Sequence, residues 1–184
     1  ALIARWIATY PEELPNRTEI DPRMLNTNAI QTTRNTGGSV RGDWAVNPDA
    51  NLSFRYSLGD VFIDSFELVA GQNPNQRLRP QTLNLSWQHQ LSDATVLRLG
   101  TNYMRRKIHL LVPPDAVGTN VSVGRQLASL GPAFQIPVRR VQNDFEYLAH
   151  GTTSTGRHQL DWGAEVRRYQ MNDFQSDGLR GIVS

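Results

Sequence analysis

His158-Gln159-Leu160-Asp161-Trp162-Gly163-Ala164-Glu165-Val166-Arg167 alternates without a slip. Successive side chains of an extended chain point to opposite faces. Leu160, Trp162, Ala164 and Val166 therefore share one face, and Gln159, Asp161, Glu165 and Arg167 share the other. Just upstream, Phe145, Tyr147 and Ala149 alternate with Asp144, Glu146 and His150, and Thr153-Ser154-Thr155-Gly156 lies between the two runs as a turn. Two alternating runs joined by a few turn residues form a β-hairpin.

The same unit occurs twice more. Val40, Gly42, Trp44 and Val46 oppose Arg41, Asp43 and Ala45; Asn47-Pro48-Asp49-Ala50 turns the chain; Leu52, Phe54, Tyr56 and Leu58 then alternate with Ser53, Arg55 and Ser57. Further on, Leu83, Leu85 and Trp87 alternate with Asn84, Ser86 and Gln88. After a turn at Ser92-Asp93, Thr95, Leu97, Leu99, Thr101 and Tyr103 face away from Arg98, Gly100 and Asn102. These patterns put the hairpins at 38–58, 81–108 and 142–170, within one domain, or a piece of one, over 1–184. Long Pro-, Gly- and Asn-rich connections are expected at about 1–37, 59–80, 109–141 and 171–180. Leu2, Ile3, Trp6, Ile7 and Tyr10 recur on one helical face, so the first connection holds a short helix.

Three hairpins with short turns at one end and long loops at the other, each with one apolar and one polar face, fit two settings. A soluble sandwich buries the apolar face against a second sheet. A membrane barrel turns it to lipid and lines its interior with the polar face. Strands of ~9–11 residues suffice to cross a bilayer when tilted. The strict alternation of short turns and long loops, with Trp44, Tyr56, Trp87, Tyr103, Tyr147 and Tyr169 near strand ends, favours the barrel.

Composition removes other classes. No apolar run approaches the ~18–20 residues of a spanning helix; Leu110-Leu111-Val112 already ends in Pro113-Pro114. Without cysteine there is no disulfide, thiolate nucleophile or cysteine-held metal. The formal charge is +2, Lys107 is the sole lysine, and the pairs Arg105-Arg106, Arg139-Arg140 and Arg167-Arg168 are scattered, so no nucleic-acid partner is expected. No cofactor is expected. Arg41-Gly42-Asp43 falls within a strand, His150 and His158 flanking one turn make too few ligands for zinc, and Glu146, Asp161 and Glu165 with Arg167 read as ion-paired interior groups. The chain begins at Ala1 without a leader pattern and ends at Gly181-Ile182-Val183-Ser184, which reads as the opening of a seventh strand; a piece of a larger barrel is the expectation.

Arg41-Gly42-Asp43-Trp44 and Asn51-Leu52-Ser53-Phe54-Arg55-Tyr56-Ser57 resemble paired strands of Oar-like TonB-dependent outer-membrane receptors. The likeness continues in Pro137-Val138-Arg139-Arg140-Val141-Gln142-Asn143-Asp144, in Gly156 to Arg168, and in Phe174-Gln175-Ser176-Asp177-Gly178-Leu179-Arg180-Gly181. Tyr10-Pro11 and Leu14-Pro15-Asn16-Arg17 resemble an extracellular loop of that family. The resemblance implies an outer-membrane barrel in a Gram-negative bacterium, an unidentified transported ligand, and energy from the TonB complex acting through parts outside this chain.

The resulting expectation is an all-β antiparallel meander of long hairpins, part of a transmembrane β-barrel and an open curved sheet on its own, with a short helix near its N-terminus. Leu52, Phe54, Leu83, Leu85, Leu97, Leu99, Leu160, Trp162 and Val166 would face lipid; Arg55, Arg98, Glu165 and Arg167 would face the lumen. Arginine at Trp162 would cost assembly ~2–4 kcal/mol at mid-membrane depth. Two alternatives stand beside this: a soluble, secreted all-β binding module with carbohydrate as its candidate ligand, and a β-rich hydrolase using Asp161 and Glu165.

Overall fold

The computed structural model describes residues 2–28, 30–122, 124 and 129–183. Ala1, Ser184 and parts of the 1–37 and 109–141 connections lie outside the described residues. Helix α1 (Leu2–Ile7) is followed by β1 (Thr32–Asn47), β2 (Ala50–Asp64), β3 (Asn75–Ser92), β4 (Thr95–Leu111), β5 (Asn120–Val121), β6 (Val138–Thr155), β7 (His158–Gln175) and β8 (Ile182–Val183). The long strands form one open antiparallel sheet in the order β1-β2-β3-β4-β6-β7, the expected meander.

Short turns set the register. Asn47 Oδ1 accepts the Asp49 N–H at 2.9 Å, and Ser92 Oγ accepts the Ala94 N–H at 3.3 Å. In each the side chain substitutes for a backbone acceptor and closes the bend. The third turn falls at Gly156-Arg157, later than the sequence suggested, because Ser154 and Thr155 stay paired with Gln159 and His158. Gly156 supplies the left-handed φ of 59° that this tight turn requires.

From these turns the ladder carries one face across the sheet, with register shifts only beside the turns, at Ala45/Asn47 and Gln90/Ser92. Trp44, Leu52, Trp87, Leu99, Ala149 and Ala164 lie opposite one another in a row, and Gly42, Phe54, Leu85, Thr101, Tyr147 and Val166 form the next. Glycines make room for rings on this face. A Cβ on Gly151 would lie inside the Trp162 indole, and one on Gly42 would come within 2.5 Å of Phe54 Cε1. Trp44 stacks on Phe54 with centroids 5.5 Å apart, and Tyr103 meets Phe145 at 4.9 Å. The face has no second layer among the described residues: Trp44 remains 55% exposed and Val166 62%.

The strands run 15 to 18 residues, well beyond the expected hairpins. The supposed connection 59–80 is strand up to Asp64 and again from Asn75, and 109–141 and 171–180 shrink in the same way. Beyond the apolar band the positions of this same face turn polar at Gln81, Arg105, Asn143, Arg168 and Gln170, so apolar alternation no longer marks the strand. Cross-strand ion pairs hold this upper part: Arg77–Asp60 at 2.5 Å, Arg140–Asp173 at 2.6 Å and Arg106–Asp144 at 3.5 Å. The expected seventh strand does not extend the wall. Ile182–Val183 instead pairs in parallel with Asn120–Val121.

Gly151→Ala should displace the Trp162 ring and cost about 1–3 kcal/mol, the usual penalty of overpacking. Gly38→Ala, whose Cβ meets nothing within 4 Å, should be close to neutral. Urea midpoints of the two variants in the intact, detergent-solubilised protein test this, and equal midpoints would refute the ring-over-glycine packing.

Candidate functional site

The polar face of the sheet carries a concentration of charge. Arg41, Arg55, Asn84, Asn102, Glu146 and Arg167 form one cross-strand row, and Gln88, Arg98, His150 and Gly163 form another. The four residues expected on this face, Arg55, Arg98, Glu165 and Arg167, do share it. Local partners hold most of them in place. Arg41 pairs with Asp43 at 2.8 Å, Arg98 donates to Gln88 Oε1 at 2.8 Å, and Arg167 bridges Glu146 at 3.8 Å and the adjacent Glu165. Several hollows open on this surface among the described residues. One of about 430 Å3 takes in Asp43, Ser53, Ser86, Gln88 and Arg98; another, about 310 Å3, takes in Thr82, Asn102, Asp144, Glu146, Arg167 and Tyr169.

Several sequence readings change here. Tyr169, expected in an aromatic girdle, lies opposite Asp144 on the polar face, because Glu165, Arg167 and Tyr169 share one parity along β7. His150 and His158 are not brought together: they lie opposite Gly163 and Thr155, on different faces. Asp161 and Glu165 do share a face, but four residues of strand separate them by ~13 Å along the chain. That exceeds the ~6.5–9.5 Å of an inverting carboxylate pair. Asp161 accepts from Thr152 Oγ1 at 2.7 Å instead.

The ends of the strands away from the short turns meet a cluster of loops with its own small core. The Trp6 indole N–H donates to Val117 O at 2.8 Å, and its ring covers Gly118, where a Cβ would come within 2.9 Å of it. Thr9 O accepts the Ala70 N–H at 3.1 Å, which ties the N-terminal segment to the 65–74 loop. Val69, Val117 and Ile136 are buried, Val69 completely. Buried Asn120 donates to Pro132 O at 3.1 Å, and Phe134 O accepts the Gly178 N–H at 2.9 Å. The Glu67 carboxylate accepts N–H groups of Gly71 at 2.6 Å and Asn73 at 3.2 Å. Burial pushes its pKa above the usual carboxylate value against those hydrogen bonds, and nearby Asp115 and Asp64 add to the rise. Sequence reasoning marked these segments as loops and missed that they pack together. The lone tryptophan in the helix was the available signal, since an indole N–H needs a partner once partly buried.

Comparison with known protein families matches residues 2–184 to the outer membrane beta barrel domain. No curated protein and no solved structure matches the chain. An exposed apolar face without a covering layer is what a lipid-crossing sheet presents, and with the family match the alternative of a secreted soluble module falls. The chain belongs to the outer membrane beta barrel domain family, and its strands are part of a barrel in the outer membrane of a Gram-negative bacterium.

Proposed function

We propose that this chain is a stretch of the wall of an Oar-like, TonB-dependent receptor: its loop cluster captures a ligand, which then passes along the polar face through the lumen. The observation that carries the reading is a charged polar face that runs along the strands, from Arg98 near the short turns to Arg140 and Asp173, and ends at a packed cap of loops. Passive support of a membrane would not need Trp6, Val69, Val117 and Ile136 to fix the loops in one arrangement. The resemblance in Arg41–Trp44, Asn51–Ser57 and Gly156–Arg168 supplies the link to energised uptake. Further strands close the barrel beyond edge strands β1 and β7, each of which has a neighbour on one side only.

On this reading Leu52, Phe54, Leu83, Leu85, Leu97, Leu99, Leu160, Trp162 and Val166 contact lipid. From the short turns to Arg105 and Arg168 the strands run about eleven residues, the length that crosses a bilayer at barrel tilt. Trp44, Trp87 and Trp162 then form the girdle near the short turns. Tyr56 and Tyr103 form the opposite one, where Tyr103 Oη and Arg105 both donate to Asn143 Oδ1 at 2.9 Å.

This geometry revises the cost of a charge at Trp162. Four residues beyond His158 is ~10 Å of height at 40° tilt, close to the interface, whereas Leu85, seven residues from Ser92, is at ~18 Å. Leu85→Arg should therefore cost about 2–4 kcal/mol of barrel stability and Trp162→Arg only ~0–1. Unfolding of the intact protein in lipid bilayers reads this gradient, and equal costs would refute the depth assignment. For the uptake reading, the intact protein solubilised from outer membranes should retain the periplasmic domain of TonB on an affinity column. Failure to retain it would leave a barrel without energised transport.

A further inference from the structure

Above the apolar band, the same outward face becomes basic. Arg34, Phe62, Arg77, His109, Arg139 and Phe174 lie directly opposite one another across all six long strands. Arg79 and Lys107 are opposite each other in the row below. Arg34 sits over the Phe62 ring, 5.3 Å from its centroid, and a hollow of about 510 Å3 opens between Arg34, Thr36, Asp60, Phe62 and Arg77. His109 lies in the combined field of Lys107, Arg139, Arg79 and Arg77.

Like charges directly opposite on neighbouring strands destabilise a sheet. The inner face at the same height avoids this, with Arg106 paired to Asp144 and Arg140 to Asp173. On the outer face one carboxylate, Asp60, serves both Arg77 and Arg79, and Asp64 shares the face further up β2. Arg34, Lys107 and Arg139 have no carboxylate partner among the described residues. An excess of cations held together at a cost to the sheet calls for an anion from outside the chain.

We propose that this belt binds the phosphorylated headgroup of a glycolipid in the outer leaflet. The inference rests on the outward face being the lipid-facing one. Continuity with the apolar band identifies the occupant. Arg79 and Lys107 lie two outward steps above the Tyr56–Leu83–Tyr103 row, and Arg77 and Arg139 three, hence ~10–15 Å above the tyrosines at barrel tilt. A molecule with acyl chains on Leu83 and Leu85 would present its phosphates at this height. Guanidinium groups match phosphate oxygens in planar, two-pronged contacts, and Phe62 and Phe174 offer apolar surface to the sugar rings between.

The test uses the intact protein in detergent with three probes: bis-phosphorylated lipid A, its dephosphorylated form, and inorganic phosphate. Lipid A should raise the melting temperature and the dephosphorylated form should not. The triple variant Arg79→Gln, Lys107→Gln, Arg139→Gln should weaken lipid A binding by about tenfold or more. The variant should still assemble, judged by its heat-dependent gel mobility. Should it fail to assemble, Arg139→Gln alone, at a position without an ion pair, should show a smaller loss in the same direction. Equal response to both lipids, undiminished binding by the assembled variants, or an equal shift with inorganic phosphate overturns the proposal. A parallel measurement separates this from the facing itself. Brominated acyl chains should quench fluorescence that is lost in Trp87→Phe. Quenching without phosphate selectivity sinks the belt alone, whereas absence of quenching sinks the lipid-facing assignment and the belt with it.

Discussion

The backbone ladder is the constraint on which everything else depends. A chain crossing hydrocarbon finds no solvent partner for its N–H and C=O groups, so each strand must pair with its neighbours along its length. Asn47, Ser92 and Gly156 fix where the chain reverses within the three hairpins; pairing between the hairpins then aligns their faces, and parity does the rest. Side chains as distant in sequence as Trp44 and Ala164 fall into one row because five successive pairings leave no freedom to slip. A shift of one residue in any strand would move its leucines to the polar face and its arginines to the apolar one.

The ladder outlasts the membrane. The lower part of each strand is stabilised by rings over glycines and by an apolar face. The upper part keeps the same pairing, with ion pairs on both faces and an excess of basic groups on the face that continues the apolar band. Chemistry changes along the strand while geometry does not, which lets one sheet serve a bilayer, its surface and the loops above. The apolar burial that would form the core of a soluble protein lies instead in the cap, where Val69, Val117 and Ile136 sit beneath the loops. Position in the cap depends on contacts remote in sequence, such as Trp6 on Val117 and Thr119 Oγ1 donating to Gly181 O.

Local alternation carried the fold class, the three hairpins, the helix at Leu2–Ile7 and the division of residues between two faces. Each is legible because it follows from a period of two or 3.6 within a few residues, or from turn-forming side chains. Leu52 through Val166 on one face, and Arg55, Arg98, Glu165 and Arg167 on the other, needed no knowledge of which strands pair. Tertiary structure decided what has no local period. Strands 59–64, 75–80 and 171–175 exist because a neighbour offers backbone partners, although both of their faces carry polar groups. Tyr169 lies on the polar face through its parity with Arg167, against the habit of tyrosines at strand ends. Ile182–Val183 joins Asn120–Val121 because the loops bring these segments together, a pairing across 62 residues that no short pattern encodes.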